Sequence, residues 1–369
     1  MKILQVVDGT GWGGTKEQTF LLTRELKKKG IDVHMALSSK YTQMIEKLKP
    51  YKVPLHFFEH DEKTNRKNLR NYIRLKNIID QNRFDIVIGN SPHSFDYIRI
   101  VKPFLKTKPK IIAVKRSARV PSLISKWFKY SIADKIVVVS KDVYENFKKI
   151  NFFPEKLVVI ESGIDLERFK PLPEKKEVLR KKLGLPLDKK IFLNVANWNI
   201  KVKAQDKLIK AFFDLRCKDC LLVFVGRGTD IHAKEYAKKF NIEDRVIGLG
   251  FREDVPDILN ASDFFVLSSN LEGIAGALLQ AMATGKVVLS TLAGGIGEYL
   301  KDGINGFAVP VGDVKGLTQK MKQMLNLSKE EYQRISQNAI KTAREYSIER
   351  TTEKYIKLFK ELLGETTKN

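Results

Sequence analysis

Runs of apolar residues alternate with amphipathic stretches along almost the whole chain. In the first half, the runs that predict strands are KILQVVD, DVHMALS, VPLHFF, FDIVIGN, KIIAVKR, KIVVVS and KLVVIES. Apolar positions at helical spacing occupy 15–29, 42–49 and 66–82 between them. Because strand and helix alternation is typical of a parallel sheet covered by helices on both faces, this half predicts a doubly wound α/β domain.

A second series of strands follows a segment rich in proline and charge. That segment, 163–190, predicts an interdomain linker carrying a short helix. Beyond it, strands are predicted at KIFLNVAN, LLVFVGRG, VIGLGF, FFVLSS, KVVLST and FAVPV. We therefore expect an α/β protein with two Rossmann-like domains facing a cleft, at 1–170 and 171–348. The final segment, 349–369, contains a helix whose apolar stripe needs a partner surface.

Length and cysteine content fit this division. A chain of 369 residues is longer than one hydrophobic core usually grows. Its two cysteines, Cys217 and Cys220 in RCKDC, lack the second pair of a structural zinc site, so we expect surface thiols, with a redox pair as the alternative. Because the chain shows no N-terminal signal and no apolar run of 18 residues, we expect a soluble or peripheral protein of the cytoplasm.

The net charge of +24 is spread unevenly. Residues 1–170 hold 34 Lys/Arg against 18 Asp/Glu, and the densest stretch, 101–149, holds 13 basic and 3 acidic residues. Within it Trp127, Phe128 and Tyr130 lie among lysines, a composition suited to an anionic membrane interface. A solvated basic face with the rings in the core explains the pattern equally well. Nucleic acid is disfavoured because no DNA- or RNA-binding signature accompanies the charge.

Three strand-to-helix loops contain residues suited to binding. In DGTGWGGTKE, the three glycines Gly9, Gly11 and Gly14 fit a dinucleotide-binding pattern, with a tight structural turn as the alternative. NAD is disfavoured because the second strand ends in ALSSK, without an acid for the ribose. In VANWNIKVKAQDK, Lys201 and Lys203 lie at a helix entrance, where ammonium groups and free N–H donors can bind a diphosphate or simply be solvated.

The third loop is LEGIAGALLQAMATGK. Small residues at 273–276 leave backbone N–H groups open before a helix, and about two turns separate Glu272 from Gln280. Both side chains can therefore border one pocket. A capped helix with an exposed glutamate is the alternative for this loop taken alone.

Together, the order of these motifs closely resembles a GT-B retaining glycosyltransferase of glycosyltransferase family 4, over nearly the whole chain. The resemblance rests on Gly13-Gly14 and on the blocks ESGIDLERF, ANWNIKVKAQDKLIKAF, VGRG, Gly250-Phe251-Arg252 and Glu272 through Glu298. It implies that the stripe around Tyr355 and Phe359 belongs to a C-terminal helix that crosses back to the first domain.

The resemblance also implies roles for single residues. Lys203 would neutralise the leaving diphosphate, Glu272 would bind hydroxyls of the donor sugar, and Gln280 occupies the position of a ribose-binding glutamate. The implied donor site consists of Gly13, Gly14, Asn197, Lys201, Lys203, Arg252, Glu272, Gly273, Ile274, Ala275, Gly276 and Gln280. The resemblance implies no metal ion and no cofactor, with a nucleoside-diphosphate sugar as co-substrate.

Several positions depart from the family pattern. Asn197 replaces a phosphate-binding arginine, so Lys201 is expected to supply the missing charge, and Lys16 stands at the position of a glutamate. Arg116 aligns with the family's histidine near the acceptor. Lys115 and Arg116 are therefore predicted to contact donor or acceptor phosphate, with Arg116 taking part in catalysis. His93 is the nearest alternative histidine and is equally explained as a structural loop residue.

We therefore predict a metal-independent, retaining hexosyltransferase-type enzyme. It would move a sugar from a nucleoside-diphosphate sugar to a glycan or glycolipid acceptor, in bacterial cell-surface polysaccharide or lipopolysaccharide synthesis. Its location would be the cytoplasm or the inner face of the cytoplasmic membrane, against anionic lipid, with no nucleic acid partner. The alternatives are a nucleotide-sugar epimerase-like enzyme and a non-catalytic, transferase-like binding subunit. An NADP oxidoreductase, suggested by the glycine loop alone, would bind NADPH rather than UDP.

Overall fold

A computed structural model describes residues 1–60, 65–116 and 126–365. The chain forms two compact units. The first comprises Met1–Gly163 together with Ile348–Asn369, and the second comprises Ile164–Ser347. The chain therefore passes from one unit to the other twice, after Gly163 and after Ser347.

Each unit contains one parallel sheet. In the described residues of the first unit, the sheet has seven strands: β1 Lys2–Val6, β2 Asp32–Ser38, β3 Leu55–Glu59, β4 Ile86–Gly89, β5 Lys110–Lys115, β6 Lys135–Val138 and β7 Leu157–Val159. The second unit's six strands are β8 Lys190–Val195, β9 Cys220–Val225, β10 Val246–Gly248, β11 Phe264–Leu267, β12 Val287–Thr291 and β13 Phe307–Val309. Their spatial orders are β3-β2-β1-β4-β5-β6-β7 and β10-β9-β8-β11-β12-β13. In each sheet the chain adds strands first on one side of the unit's first strand, β1 or β8, and then on the other side, as in Rossmann-like domains. This topology confirms the predicted fold class.

Helices connect the strands. Those of the first unit are α1 Gly14–Lys28, α2 Thr42–Leu48, α3 Leu69–Asn82, α4 Pro92–Val101 and α5 Lys141–Lys149. Those of the second are α6 Lys176–Leu183, α7 Ile200–Lys203, α8 Gln205–Leu215, α9 Thr229–Lys238, α10 Val255–Ala261, α11 Gly276–Ala283, α12 Ile296–Tyr299, α13 Val314–Leu325 and α14 Lys329–Arg344. The last helix, α15 Ile348–Leu363, belongs to the first unit.

Residue parity along each strand determines which face of the sheet a side chain joins. On β5, Ile111 and Ala113 pack into one apolar cluster, and Ile112 and Val114 pack into another. Both clusters are buried, since helices cover both faces, so the strands are continuous apolar runs. The second unit repeats this arrangement.

The C-terminal helix α15 returns to the first unit, as the resemblance implied. Its stripe of Tyr355, Leu358 and Phe359 is buried in the same cluster as Ile112 and Val114. The return requires a very close approach at Gly163, where a Cβ atom would lie 2.5 Å from the Cα of Ile348. Glycine is therefore the residue that fits at this point.

The segment 163–190 differs from the predicted linker. Nearly all of it belongs to the second unit, because Phe169, Leu179 and Leu185 are buried in that unit's core. Its short helix is α6, whose Arg180 donates a 2.6 Å bond to Asp263. The prediction of a short helix is confirmed, but an interdomain linker is the wrong description of a segment anchored in this way.

The prediction of surface thiols is also wrong. Cys217 and Cys220 form a disulfide, and Cys220 is fully buried. The reason is that Cys220 begins β9 and its side chain faces the same cluster as Leu222 and Phe224. Side chains two positions apart on a strand lie on the same face of the sheet.

Candidate functional site

The predicted donor residues of the second unit lie after the carboxyl ends of β8 and β11, except Arg252, which follows β10. Asn199 caps α7 by accepting a hydrogen bond of 3.2 Å from the amide of Val202. Helix α7 ends after one turn because Ala204 adopts the left-handed conformation, with φ of 49°. Lys203 is therefore the last residue of a short turn, directly before α8 begins at Gln205.

Lys203 and Glu272 contact each other directly. The Nζ atom of Lys203 lies 2.6 Å from Oε1 of Glu272, and the hydroxyl of Ser269 donates a 2.6 Å bond to the same oxygen. The carboxylate is almost completely buried, whereas the lysine keeps about a quarter of its side chain exposed. The two residues with the strongest predicted roles thus form one ion pair, with the cation on the solvent side.

Backbone contacts hold the two loops of this pair together. The amide of Asn270 donates to the carbonyl of Val202 at 2.8 Å, and the hydroxyl of Ser268 donates to the carbonyl of Lys203 at 3.0 Å. Lys207 adds a 3.1 Å bond to the side chain of Asn270. The Lys203–Glu272 distance is therefore fixed by the main chain rather than by two flexible side chains alone.

The segment 273–276 has an unusual backbone that depends on a neighbouring glycine. Ala275 has a φ of 53°, and the carbonyl of Ile274 accepts a 2.9 Å bond from the hydroxyl of Tyr299. At Gly294, whose φ is 56°, a Cβ would lie 2.1 Å from the carbonyl oxygen of Glu272. This close approach sets the path of the loop. Helix α11 then starts at Gly276, where an added Cβ would have no neighbouring atom within 4 Å.

The other predicted donor residues of this unit have different surroundings. Asn197 accepts a 3.0 Å bond from the amide of Arg227, so its side chain organises the next loop. The carbonyl of Lys201 accepts a 3.1 Å bond from Asn270, and the side chain of Arg252 is paired with Asp254 at 2.6 Å. Gln280 is half-buried on α11, and its carboxamide has no hydrogen-bond partner in the described part of the chain.

In the first unit, Gly13 and Gly14 lie at the start of α1. Gly13 caps this helix without a side-chain bond, and a Cβ on either glycine would meet nothing within 4 Å. Lys16, one turn further, is partly buried and forms an ion pair of 3.5 Å with Asp8. Burial lowers the pKa of Lys16, although the charge of Asp8 opposes this shift.

The structure separates Lys115 from Arg116. Lys115 is buried beside the rings of Phe147 and Tyr130, at 5.5 and 5.8 Å. Arg116 lies on the opposite side of the strand, where it donates a 3.1 Å bond to the hydroxyl of Ser162. Its Nε atom has no partner among the described residues, and burial lowers the pKa of the guanidinium.

His93 lies elsewhere, on the first turn of α4. Its Nδ1 accepts a 2.7 Å bond from Arg66, and about half of its side chain is exposed. No contact joins it to Lys115 or Arg116 within the residues that the structure describes. The three predicted acceptor contacts are thus dispersed, whereas Lys203 and Glu272 are in contact.

Sequence reasoning missed a buried carboxylate near the glycine loop. Glu59 is 1% exposed at the end of β3, and its Oε2 accepts a 2.8 Å bond from the amide of Gly9. Its other oxygen accepts a 2.8 Å bond from the hydroxyl of Tyr97. The signal was present, since an acid directly follows the apolar run LHFF at the carboxyl end of a strand.

The aromatic and basic stretch of the first unit divides into two parts. Tyr130 is buried, as expected for a core ring, but Phe128 and Trp127 are 72% and 61% exposed. Phe104 is similarly exposed nearby in sequence. The described segment thus presents apolar rings among lysines, while residues 117–125 lie outside the described part of the chain.

Two kinds of feature are absent from residues 1–60, 65–116 and 126–365. No helix among them is long and apolar enough to cross a membrane. No three or more His, Cys, Asp or Glu side chains in those same residues lie close enough together to hold a metal ion.

Two family models match the chain, one in each half. Residues 12–168 match Glycosyltransferase Family 4, and residues 175–342 match Glycosyl transferases group 1. Among curated relatives, EpsD of Bacillus subtilis (strain 168), which is named as a glycosyltransferase, is 26% identical over 93% of this chain and 92% of its own length.

A second relative has a more specific name. It is the UDP-Gal:alpha-D-GlcNAc-diphosphoundecaprenol alpha-1,3-galactosyltransferase of Escherichia coli, which is 28% identical over 67% of this chain and 68% of its own. Among solved structures, Anabaena HepE in complex with UDP-glucose has a TM-score of 0.85 at 19% identity, covering 98% of this chain and all of that one. This likeness shows the fold. The relatives are glycosyltransferases, and with family 4 and group 1 models on its two halves, this chain belongs to the GT-B glycosyltransferases of family 4.

Proposed function

We propose that the chain is a retaining, metal-independent transferase that moves a sugar from a nucleoside-diphosphate sugar to a glycan or glycolipid acceptor. The process we propose is synthesis of bacterial cell-surface polysaccharide or lipopolysaccharide. The observation that carries the proposal is the ion pair of Lys203 and Glu272, held at 2.6 Å by two loops whose backbones are bonded to each other.

The pair suits the departure of a diphosphate. Lys203 keeps part of its side chain exposed, so its ammonium group can meet a phosphate oxygen without a change of the loop. A fixed cation that faces developing negative charge is usually a large electrostatic contribution to catalysis. Glu272, already compensated by Lys203 and Ser269, keeps a second oxygen that can accept a hydrogen bond from a sugar hydroxyl.

The rest of the donor site follows from the open backbone before α11. Residues 273–276 would contact phosphate and sugar, and Gln280 would accept a ribose hydroxyl. Because the side chain of Asn197 is engaged with the amide of Arg227, we assign the remaining positive charge to Lys201. Gly13, Gly14 and Arg252 complete the proposed donor contacts, with Arg252 already paired with Asp254.

For the acceptor we propose a phosphate-bearing group. Arg116 is a partly buried guanidinium bonded to a neutral hydroxyl, and a phosphate oxygen would supply the negative charge that Ser162 does not. Lys115 and His93 are the further proposed contacts, although the structure places them apart from Arg116. The name of the Escherichia coli relative, which specifies a diphosphoundecaprenol acceptor, supports this class of acceptor.

We further propose that the protein works at the cytoplasmic face of an anionic membrane. The support is the exposure of Phe104, Trp127 and Phe128 within a lysine-rich segment. Each lysine or arginine near such a surface contributes about 1 kcal/mol, which salt screens. Co-sedimentation should occur with anionic vesicles, should weaken in high salt, and should be reduced in Phe128→Ala but not in Val178→Ala, an exposed apolar control in the second unit.

Donor identity is best tested by thermal shift with UDP-, GDP- and ADP-sugars, followed by product analysis. A ligand at a hundred times its dissociation constant adds about 2.7 kcal/mol of stability. Transfer to a lipid-linked acceptor with an α-configured product, unaffected by EDTA, is the expected result. Epimerised donor without transfer would indicate an epimerase-like enzyme, and binding without any turnover or hydrolysis would indicate a binding subunit.

A further inference from the structure

The glycine loop between β1 and α1 is held by side chains that lie outside it. Glu59 of β3 binds the amide of Gly9, and Tyr41 donates a 3.2 Å bond to the carbonyl of Gly11. Lys16 donates to the carbonyl of Asp8. Three successive parts of the loop are therefore fixed by separate neighbours, while a Cβ at its end, on Gly13 or Gly14, would meet nothing within 4 Å.

We propose that Glu59 is a positioning residue that fixes the Gly9–Gly14 loop in the conformation that binds the donor sugar nucleotide. This inference rests on the proposed function, because it takes Gly13 and Gly14 as donor contacts. Glu59 does not touch the donor in this proposal. It acts through the backbone amide of Gly9.

The geometry favours a specific role over packing alone. Both oxygens of Glu59 are used, one by the amide of Gly9 and the other by the hydroxyl of Tyr97, each at 2.8 Å. Gly9 itself has a φ of 60°, a conformation that is not fixed by regular secondary structure. A carboxylate offers a separate acceptor oxygen to each of these two donors.

Burial also makes the charged form of Glu59 unfavourable at this position. Burial raises the pKa of Glu59, and the bonds from Gly9 and Tyr97 oppose that shift only in part. Among the neighbouring charges, Asp8 raises the pKa of Glu59 and Lys16 lowers it. A residue needed only to fill this space would be apolar, so the retained acid points to the orientation of the loop.

The substitutions Glu59→Leu and Glu59→Gln separate these roles. Leucine fills the space without accepting a bond, whereas the amide oxygen of glutamine can accept from Gly9 while its amino group donates to the oxygen of Tyr97. We expect Glu59→Leu to raise the KM for the donor at least fivefold and to leave the KM for the acceptor unchanged. Glu59→Gln should stay within about twofold of the parent for both constants.

Glu25→Leu is the matched control. Glu25 is a buried acid of the same unit, but it lies near the other end of α1 and is paired with Arg24 and Lys28. Rates are expressed per folded molecule, so that loss of stability alone does not change them. A donor KM for Glu59→Leu within twofold of the parent, or an equal rise in Glu25→Leu, would overturn the inference.

Hydrogen exchange gives a readout that does not need activity. In the free protein, the amides of Gly9–Gly14 should exchange at least tenfold faster in Glu59→Leu than in the parent, and at the parental rate in Glu59→Gln and Glu25→Leu. Unchanged exchange in Glu59→Leu rejects the positioning role even if no donor is found. If the parent neither binds nor turns over a nucleotide sugar, the proposed function fails, while the exchange result still decides what Glu59 does to the loop.

Discussion

The two units have the same kind of sheet but very different candidate sites. In the second unit, Lys203 and Glu272, which come from loops 69 positions apart, meet at 2.6 Å. In the first unit, Lys115 and Arg116 are neighbours in sequence, yet Lys115 packs beside the ring of Phe147 whereas Arg116, which follows β5, donates to the hydroxyl of Ser162. Closeness in sequence therefore says little about a shared site on a strand, whereas position at the carboxyl end of parallel strands says a great deal.

The difference teaches which parts of a site the fold determines. In the second unit the loops are bonded to each other through Val202, Asn270 and Ser268, so the main chain brings the charged groups together. In the first unit the loop after β1 is held by Glu59 and Tyr41 from other elements. In the second unit, we therefore expect substitutions of the charged site residues themselves to lower activity. In the first unit, we expect substitutions of supporting residues that contact no ligand to lower it as well.

The largest expected effect is that of Lys203→Ala, which tests whether the second unit depends on its own charged site residues. Removing a cation that faces a departing diphosphate should lower kcat, measured per folded molecule, on the order of a hundredfold. The free energy of unfolding should fall by about 1 to 3 kcal/mol, because the buried carboxylate of Glu272 loses its cation and keeps only the bond from Ser269. Steady-state kinetics and chemical denaturation measure the two quantities. Lys210→Ala, an exposed lysine paired with Asp214 on α8, is the control. Turnover within a few-fold of the parent would show that the pair has no catalytic role.

The next effect concerns the backbone that supports Glu272. Gly294→Ala would place a Cβ 2.1 Å from the carbonyl of Glu272 at a positive φ, so we expect a loss of about 2 kcal/mol in unfolding free energy and a lower kcat. Gly297→Ala is the matched control, because a Cβ there meets nothing within 4 Å and its φ is not positive. Equal stability of the two variants would mean that the loop can shift without cost.

The alternation of apolar and polar stretches was enough to predict the fold. It placed all thirteen strands that the structure describes, because in a doubly wound sheet each strand is a continuous apolar run and each connection is long. It failed at the segment 163–190, since proline and charge in KPLPEKK concealed the burial of Phe169, Leu179 and Leu185. Cys220 was misjudged for a related reason: its burial follows from its place at the start of β9, which composition does not reveal.

The arrangement of the candidate site could be predicted only for residues that belong to a sequence motif and also lie at the carboxyl end of a strand. Glu272 and Lys203 satisfy both conditions, and the structure places them in contact. Glu59 belongs to no motif, and its bond to the amide of Gly9 depends on the position of β3 in the sheet. The roles of Arg116, His93 and Gln280 remain predictions, since each role depends on a bound substrate.

A smaller effect is expected at Gln280, where the second unit departs from its family. An amide oxygen can accept a ribose hydroxyl much as a carboxylate can, and a charged acceptor would strengthen that bond by about 1 kcal/mol. A second carboxylate near the donor diphosphate would add repulsion of similar size. Gln280→Glu should therefore change the donor KM by less than about tenfold in either direction. Glu272→Gln, measured beside it, should lower mainly kcat, and the reverse pattern in the two variants would reject the donor-site assignment.

The smallest effect lies in the first unit and concerns acid stability. His34 and His56 stack with ring centroids 5.2 Å apart, and burial together with the charge of His34 lowers the pKa of His56 from 6.5 to about 4. Because the folded pKa is the lower one, this histidine's contribution to stability is present above pH 6.5 and is lost as the pH falls towards 4.

We expect the neutral ring of His56 to account for about 1 kcal/mol of the stability lost between pH 7 and pH 5, a value discounted because the ring is only half-buried. His56→Gln should therefore flatten the pH dependence of the unfolding midpoint. His232→Gln, at a partly exposed histidine of the second unit, is the control. Thermal denaturation of the parent and both variants at half-unit steps of pH measures the slopes. If the parent and His56→Gln lose stability in parallel from pH 7 to pH 5, the acid sensitivity belongs to other groups, and the difference between the two units is confined to their sites.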